Sequence, residues 1–311
     1  MFRKFILLGL GLCLLASCSV KKPLVFSDDL LPQCHCEGKG DFTLVIEAGM
    51  GCWSLFYQPL ANELKKEYRV CLIDRPGYAS DKVSSLAPTA NQVAQSIVQV
   101  LAKQSIDKHI ILVGHSLGGL HVRAFQHLYP EKVDGIVLLD AASSSQFQEL
   151  PKEFYEILEK QSRDLNKVIE IAQKGYLKYS KKRIPTYGLP QEMLEEYYEV
   201  TTTPEYYYSM LLEVKAFEQN LKRVGEIPSL GDLPLLVIAS ANSIDEEVLP
   251  VKNKNYPYLE HNKIWLELQE GLAKQSTNST FVVSQANHYL MLEDSQFIAQ
   301  TIKEWISEVA K

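Results

Sequence analysis

The sequence has no surplus of positive charge, no internal repeat and no low-complexity segment. Its 311 residues carry a formal net charge of −6. We interpret its basic run, Lys181, Lys182 and Arg183, as a solvated loop. This balance argues against a nucleic-acid partner. With 46% hydrophobic and 23% charged residues, the composition is typical of a globular chain that can form one large domain with an inserted subdomain.

A long hydrophobic run is also missing. The apolar run over residues 5–16 follows two basic residues and is too short to span a bilayer comfortably, as in a secretory targeting segment. It ends in Leu-Ala-Ser-Cys18, which resembles a bacterial lipobox. That resemblance implies that residues 1–17 are a signal peptide and that Cys18 is lipidated, which would anchor the protein in the cell envelope. Ser19 in the next position suggests the outer membrane. The alternative is an ordinary signal peptide with an incidental cysteine.

Cysteine is scarce in the mature sequence. Besides Cys18 it would keep Cys34, Cys36, Cys52 and Cys71. Outside the cytoplasm four cysteines can form disulfides in three pairings, and the spacing does not choose among them. The segment Cys34-His35-Cys36 has no second Cys/His pair at ligand spacing, so we expect no zinc site. We interpret residues 18–36 as a tether between the anchor and the folded domain.

The pattern that organises the chain is Gly114-x-Ser116-x-Gly118. The apolar residues 110–113 before it indicate a buried central strand, and the residues after it are typical of a helix that Pro130 ends. Glycines two positions on either side of the serine are needed because the turn is too tight for side chains. The turn would present the hydroxyl at a helix N-terminus, where the dipole favours developing negative charge. The strand-to-helix context therefore favours a nucleophile at Ser116 over a simple connecting turn.

Buried strands alternate with helical segments along most of the chain. The predicted strands cover residues 43–46, 69–74, 110–113, 133–140, 233–239 and 280–283. This alternation predicts an α/β fold with a mostly parallel, doubly wound sheet. Residues 144–232 interrupt it with several amphipathic helices, which we interpret as a cap on a core formed by residues 37–143 and 233–311. The cap is rich in tyrosine, and its rings either line a substrate pocket or pack the cap on the core.

Three motifs together resemble the serine-dependent α/β-hydrolase superfamily. They are Val113-Gly-His-Ser116-Leu-Gly-Gly119, Glu47-Ala-Gly-x-Gly51 and Asp74-Arg-x-Gly-Tyr78. The resemblance covers the chain from about Cys36 onward. It implies the α/β-hydrolase fold with a helical cap, hydrolysis through a serine nucleophile, and no metal or organic cofactor. It also implies that Asp74 and Arg75 have structural roles.

The same resemblance implies the parts of an acyl-transfer site. His288 follows the last predicted strand and precedes the closing helix, where the family carries its general base. The backbone N–H groups of Leu117 and Met50 would form the oxyanion hole. Many relatives have His-Gly where this chain has Ala48-Gly49, but the chemistry needs only backbone groups there. His115 is expected to face away from the nucleophile as a packed or surface histidine.

The sequence leaves two candidates for the acid that orients the histidine. Most relatives carry this acid just after the strand that follows the cap, where this chain has Asn242 and Ser243, and Asp245 slightly later. Some lipases of the superfamily carry it at the end of the strand before the cap, where this chain has Asp140. Both choices preserve the chain order Ser, Asp, His. We predict Asp140, with Asp245 as the alternative.

These features predict a serine hydrolase that cleaves a small-molecule or lipid ester and reaches the membrane through Cys18. A thioesterase or an amidase would use the same triad, so the ester rests on analogy. The non-enzymatic alternative is an envelope lipoprotein that keeps the fold as a binding scaffold. Ala48 and the displaced acid allow that alternative, whereas intact Ser116 and His288 argue against it. Serine at the elbow excludes the aspartate-based epoxide hydrolase and dehalogenase routes.

Overall fold

The computed structural model describes residues 22–27, 29–78, 80–246, 248–249 and 256–309. The predicted signal peptide and Cys18 lie outside these residues. The strands are β1 Val25–Phe26, β2 Gln33–Glu37, β3 Thr43–Glu47, β4 Arg69–Asp74, β5 Lys82–Val83, β6 Ile110–His115, β7 Val133–Leu139, β8 Leu235–Asn242 and β9 Ser279–Asn287. The helices are α1 Ser54–Leu64, α2 Ala90–Lys103, α3 Gly118–Leu128, α4 Gln146–Glu149, α5 Lys152–Gln173, α6 Leu194–Thr201, α7 Pro204–Gly225, α8 Tyr258–Ala273, α9 Leu290–Glu293 and α10 Ser295–Val309.

Seven strands form one sheet in the order β2-β4-β3-β6-β7-β8-β9. All neighbouring pairs are parallel except β2 and β4, which are antiparallel. The strand that precedes the predicted elbow, β6, lies in the middle between β3 and β7. The carboxyl ends of these three strands therefore meet at one edge of the sheet, where ligands bind in open α/β folds. The predicted doubly wound α/β fold is confirmed.

Helices cover both faces of the sheet. Leu44 and Ile46 of β3 pack with α1 and α10, whereas Val45 between them packs with α2 and α3 on the other face. Burial on both faces explains why the central strands are continuous apolar runs rather than alternating patterns. The start of α2 is fixed by a capping box between Thr89 and Gln92.

Part of the segment predicted as a tether, residues 18–36, forms strands instead. Gln33–Glu37 is the strand β2 and pairs with β4, and the two-residue strand β1 pairs with β5. The side chains of β2 are alternately exposed and half-buried, so an apolar signal for a strand is weak there. Backbone pairing and a disulfide between Cys36 and Cys71 hold this strand in place instead.

The segment between β7 and β8, where a cap was predicted, contains the helices α4 to α7. Thr203 accepts the N–H of Tyr206 and begins α7, with Pro204 in the first helical position. The helices α5 and α7 pack against each other through Leu165, Ile169 and Leu211. None of the helices in the described ranges is both long and apolar enough to cross a membrane.

Candidate active site

Ser116 lies in a strained turn between β6 and α3. Its φ of 50° is in the left-handed region that few residues other than glycine adopt. The main chain closes the turn, because the Ser116 N–H donates to Leu139 O at 3.1 Å and the Ala142 N–H donates to Ser116 O at 2.9 Å. Ser116 itself is half-buried, so its side chain keeps some access to solvent.

Close packing requires the glycines around this turn. A Cβ atom at Gly118 would lie 2.2 Å from Glu47 O, and one at Gly114 would lie 2.8 Å from both Gly118 O and Gly119 Cα. Neither distance leaves room for a methyl group without moving backbone. This tight strand-to-helix turn is the local structure that the glycine spacing predicted.

His288 lies between β9 and α9 and contacts Asp140 at the end of β7. The two side chains meet with Nδ1 of His288 2.6 Å from Oδ2 of Asp140. Because the carboxylate accepts a hydrogen bond, the neutral imidazole carries its proton on Nδ1, and Nε2 is left to take a proton. The Asp140 side chain is fully buried and that of His288 is 18% exposed. This is the geometry in which a carboxylate orients a general base.

Four donors converge on the Asp140 carboxylate. Besides His288, the Ser243 hydroxyl donates to Oδ2 at 2.5 Å. Oδ1 accepts from the Ser240 N–H at 2.9 Å and from the Trp265 indole N–H at 2.7 Å. Burial alone would raise the pKa of Asp140, but His288 and the Ser243 and Ser240 donors outweigh it and hold the pKa below its usual range. The buried carboxylate therefore stays ionised.

The alternative acid, Asp245, lies in the loop after β8. Its Oδ1 accepts the N–H of Val248 at 2.8 Å, which stabilises a turn within that loop. Ser243, two residues earlier, has its Oγ 3.3 Å from His288 Nδ1. Of the two aspartates weighed from the sequence, Asp140 is the one that contacts His288.

The predicted oxyanion residues, Met50 and Leu117, approach Ser116 from two loops. Leu117 follows Ser116 in the chain. Gly49, which precedes Met50, is so close that an added Cβ would lie 3.2 Å from Ser116 Cβ. In the part of the chain that the structure describes, no backbone acceptor takes the N–H of Met50 or Leu117. Both groups are therefore available to a ligand oxygen.

Arg75 holds the loop after β3 in place. Its buried guanidinium donates to Ala48 O and Gly49 O, both at 2.7 Å. It also donates to Glu47 at 2.8 Å and to Glu213 of α7 at 2.7 Å. Burial would lower the pKa of Arg75, but the charges of Glu213 and Glu47 outweigh it and raise the pKa well above its ordinary value. Arg75 thus joins the cap helix to the predicted oxyanion loop.

Three tyrosines of the cap contact the core in two different places. Tyr197 and Tyr206 are buried and contact Trp53, with ring centroids 5.7 and 5.9 Å away, so they pack the cap on the core. Tyr187 stacks on Tyr289 with the ring centroids 4.8 Å apart, and Tyr289 is the residue that follows His288. This contact places a cap ring beside the histidine loop.

Within the described residues, three cysteines on β2 and β4 lie close enough together to be considered as metal ligands. The sulfur atoms of Cys34, Cys36 and Cys71 lie within 4.8 Å of one another. Cys36 and Cys71 are joined in a disulfide, so these two sulfurs are not thiolate ligands. Burial raises the pKa of the Cys34 thiol to about 11, which keeps it protonated. Cys34 and the buried Cys52 are free thiols, which settles the pairing that the sequence left open.

Sequence reasoning missed three side chains that support this site. Ser243 follows β8, where the family resemblance implied an acid, and that position was its available signal. Trp265 reaches Asp140 from the middle of α8, and Glu213 reaches Arg75 from the middle of α7. Neither residue belongs to a local motif, because its partner is more than a hundred residues away in the chain.

Comparison with known proteins identifies the family. Residues 43–224, more than half of the chain, match the family described as alpha/beta hydrolase fold. The chain therefore belongs to the α/β-hydrolase family, and the prediction that it has the fold of an enzyme of this family is confirmed. The matched range includes β3, the turn at Ser116, β7 and most of α7.

Relatives of known sequence match over shorter stretches. A 2-hydroxy-6-oxononadienedioate/2-hydroxy-6-oxononatrienedioate hydrolase from Paraburkholderia phymatum is 34% identical over 134 residues, which cover 41% of this chain and 46% of that protein. Methylesterase 1 from Arabidopsis thaliana is 30% identical over 106 residues, or 33% of this chain and 40% of that protein. The chain thus spans less than half the length of these relatives.

Solved structures match over nearly the whole fold. A thermophilic esterase from Thermogutta terrifontis has a TM-score of 0.64 at 19% identity and covers 90% of this chain and 94% of its own. An esterase from Exiguobacterium antarcticum has a TM-score of 0.64 at 14% identity, with 90% and 96% covered. At these identities the likeness concerns the fold.

Proposed function

We propose that the protein is a serine hydrolase that cleaves a carboxylic ester through Ser116, His288 and Asp140. The observation that carries the proposal is the 2.6 Å contact between His288 Nδ1 and the buried Asp140 carboxylate. The His288 ring lies 4.7 Å from the ring of His115, which directly precedes Ser116 in the elbow turn. A serine hydroxyl is a weak nucleophile and needs an oriented base, and this contact orients one.

The reaction begins with attack of the Ser116 hydroxyl on the acyl carbon of the ester. His288 takes the hydroxyl proton on Nε2, and Asp140 stabilises the imidazolium that forms. The N–H groups of Met50 and Leu117 donate to the oxyanion of the tetrahedral intermediate. His288 then gives its proton to the departing alcohol, and an acyl ester on Ser116 remains. Attack by water, with His288 again as the base, releases the acid and restores the serine.

An ester is the substrate class that the comparisons support best. Several similar proteins are named esterases, and one relative is named a methylesterase. A thioester or an amide would pass through the same intermediates, so the leaving group has to be determined by assay. A binding scaffold without catalysis would not need a histidine that a buried carboxylate orients.

A fluorophosphonate probe tests the proposal, because it labels only an activated serine. We expect the mature protein to be labelled and to hydrolyse p-nitrophenyl butyrate, and Ser116→Ala to lose both properties. Asp140→Asn should lose most of the labelling rate, whereas Asp245→Asn should keep it. A folded protein that neither reacts with the probe nor hydrolyses the ester would overturn the proposal in favour of the binding scaffold.

We also propose that Cys18 carries a lipid anchor in the cell envelope. The lipobox-like segment supports this, and the Cys36–Cys71 disulfide fits an oxidising compartment outside the cytoplasm. The test is metabolic labelling with an alkynyl fatty acid followed by membrane fractionation. We expect label and membrane association for the natural sequence and neither for Cys18→Ser. Labelling that persists in Cys18→Ser would contradict the anchor.

A further inference from the structure

A chain of three hydrogen bonds runs behind Ser116 and joins the oxyanion loop to the histidine loop. The Gly49 N–H donates to the Tyr57 hydroxyl oxygen at 2.9 Å. The Tyr57 hydroxyl lies 2.7 Å from Nδ1 of His115. Nε2 of His115 lies 2.9 Å from the backbone carbonyl oxygen of His288. Both linking side chains, Tyr57 and His115, are only 1% exposed.

When His115 is neutral, only one arrangement of protons satisfies all three contacts. The carbonyl oxygen of His288 can only accept, so Nε2 of His115 carries the proton. Nδ1 of the neutral ring is then an acceptor, and the Tyr57 hydroxyl must donate to it. The Tyr57 oxygen in turn accepts from Gly49. Burial lowers the pKa of His115 to about 3, so the ring stays neutral and the arrangement persists over the working range of a hydrolase.

The two ends of this series of hydrogen bonds lie next to the groups that the proposed reaction uses. Gly49 is bonded directly to Met50, whose N–H would hold the oxyanion. The His288 carbonyl belongs to the residue whose ring would act as base, and the His115 and His288 rings lie 4.7 Å apart. Both ends are loop residues between a strand and a helix. A serine hydrolase needs the donor and the base at a fixed separation around one carbonyl carbon.

We propose that Tyr57 and His115 are positioning residues that set the separation between the oxyanion loop and the catalytic histidine. This role rests on the proposed hydrolase function. Neither side chain touches the substrate. Tyr57 acts through the Gly49 N–H, and His115 acts through the His288 carbonyl, so loss of either link lets one loop move relative to the other.

A role in packing alone would also place these residues in the core, so the test must separate the two. Tyr57→Phe keeps the ring and removes the hydroxyl that links Gly49 to His115. The matched control is Tyr256→Phe. Tyr256 Oη also lies 2.7 Å from the Nδ1 of a buried histidine, His261. The His261 ring stacks on Trp265, but in the described residues this tyrosine–histidine pair hydrogen-bonds to neither loop. Both changes remove one buried tyrosine–histidine hydrogen bond, and Tyr57→Phe also removes the acceptor of the Gly49 N–H.

The measurement is kcat and KM for p-nitrophenyl butyrate, with the concentration of active sites set by titration with the phosphonate probe. For Tyr57→Phe we expect kcat to fall about tenfold or more while KM changes less than about twofold, since a misplaced transition-state group costs rate rather than binding. For Tyr256→Phe we expect both constants within about twofold of the natural protein, although it too should lose thermal stability through its broken hydrogen bond. Equal kcat values for the two variants would overturn the positioning role.

A second variant keeps the test decisive if Tyr57→Phe folds poorly. His115→Gln retains an amide donor for the His288 carbonyl, whereas His115→Leu has none. We expect Gln to recover part of the kcat that Leu loses, and equal losses would contradict the role of that link. If the natural protein hydrolyses the ester and Ser116→Ala does not, any failure of these comparisons refutes the positioning role and leaves the hydrolase function standing.

Discussion

Ser243 lies in the loop after β8, where the family resemblance implied an acid, yet its hydroxyl supports the carboxylate of Asp140 at the end of β7. Its hydroxyl donates to Asp140 Oδ2 at 2.5 Å, and its Oγ lies 3.3 Å from His288 Nδ1. Both strand ends therefore face the same imidazole edge. A carboxylate at either position has a short path to the histidine, so the acid can be displaced in the chain without displacing the base.

This arrangement predicts that the acid can be moved. We expect Asp140→Asn to lower kcat about 10³- to 10⁴-fold, because an uncharged amide no longer stabilises the imidazolium or fixes its tautomer. Adding Ser243→Asp should recover about tenfold or more, because that carboxylate would lie within reach of Nδ1. The measurement is kcat with the same chromogenic ester.

The control for this experiment is Asp140→Asn with Ser243→Ala. It has the same loss at the first position and no new carboxylate, so its kcat should stay at the level of Asp140→Asn alone. If the Ser243→Asp double variant were no faster than this control, the two strand ends would not be interchangeable.

The residues with a local sequence pattern were predictable and the others were not. Ser116 was predicted from its glycines, and His288 from its place after the last strand. Asp140 was predicted only as one of two candidates, because either strand end can supply the acid. Tyr57 and Trp265 gave no signal, since their roles depend on side chains that the fold brings together from distant parts of the chain.

Among the helices of the cap, α7 is linked directly to the proposed oxyanion loop. Its Glu213 is buried and bonds to three groups outside the cap: Arg75 at 2.7 Å, the Tyr78 hydroxyl at 2.7 Å and the Gly51 N–H at 3.3 Å. Arg75 in turn holds two carbonyl groups of the same loop. The cap helix and the loop are therefore parts of one ionic network.

We expect Glu213→Gln to lower the free energy of unfolding by about 2–4 kcal/mol. The amide keeps the shape of the side chain but leaves the buried Arg75 with less compensating charge, and an unpaired buried charge is costly. Glu218→Gln is the matched control, because Glu218 is exposed on the same helix and its loss should change stability by less than about 0.5 kcal/mol. Urea denaturation measures both variants. Equal stabilities would show that the network does not hold the cap to the core.

Sequence patterns underestimate the length of elements whose ends consist of polar residues. The last strand was predicted over residues 280–283 and runs from Ser279 to Asn287, because backbone pairing with β8 continues through polar positions. The helix α8 begins at Tyr258. Its first turns carry no continuous apolar stripe, and the packing of the buried His261 against Phe154 secures them instead. Periodicity detects apolar burial, not these contacts.

At the scale of the whole molecule, one edge of the sheet is held mainly by a disulfide and backbone pairing rather than by helix packing. Its edge strand β2 is short, half-exposed and antiparallel to its neighbour. The disulfide from Cys36 to the fully buried Cys71 of β4 ties this edge to the core and closes a loop with a sequence separation of 35 residues. In the chain-entropy account, such a link stabilises the fold mainly by restricting the unfolded chain.

We therefore expect reduction of the disulfide to lower the free energy of unfolding by about 3–4 kcal/mol, the value for a loop of this length. Urea denaturation with and without reductant measures the change. The double variant Cys36→Ala with Cys71→Ala should have the stability of the reduced natural protein with or without reductant. Cys34→Ser should respond to reductant as the natural protein does, since Cys34 is a free thiol. If Cys34→Ser abolished the response to reductant, Cys34 and not Cys36 would be the partner that ties the edge of the sheet to its core.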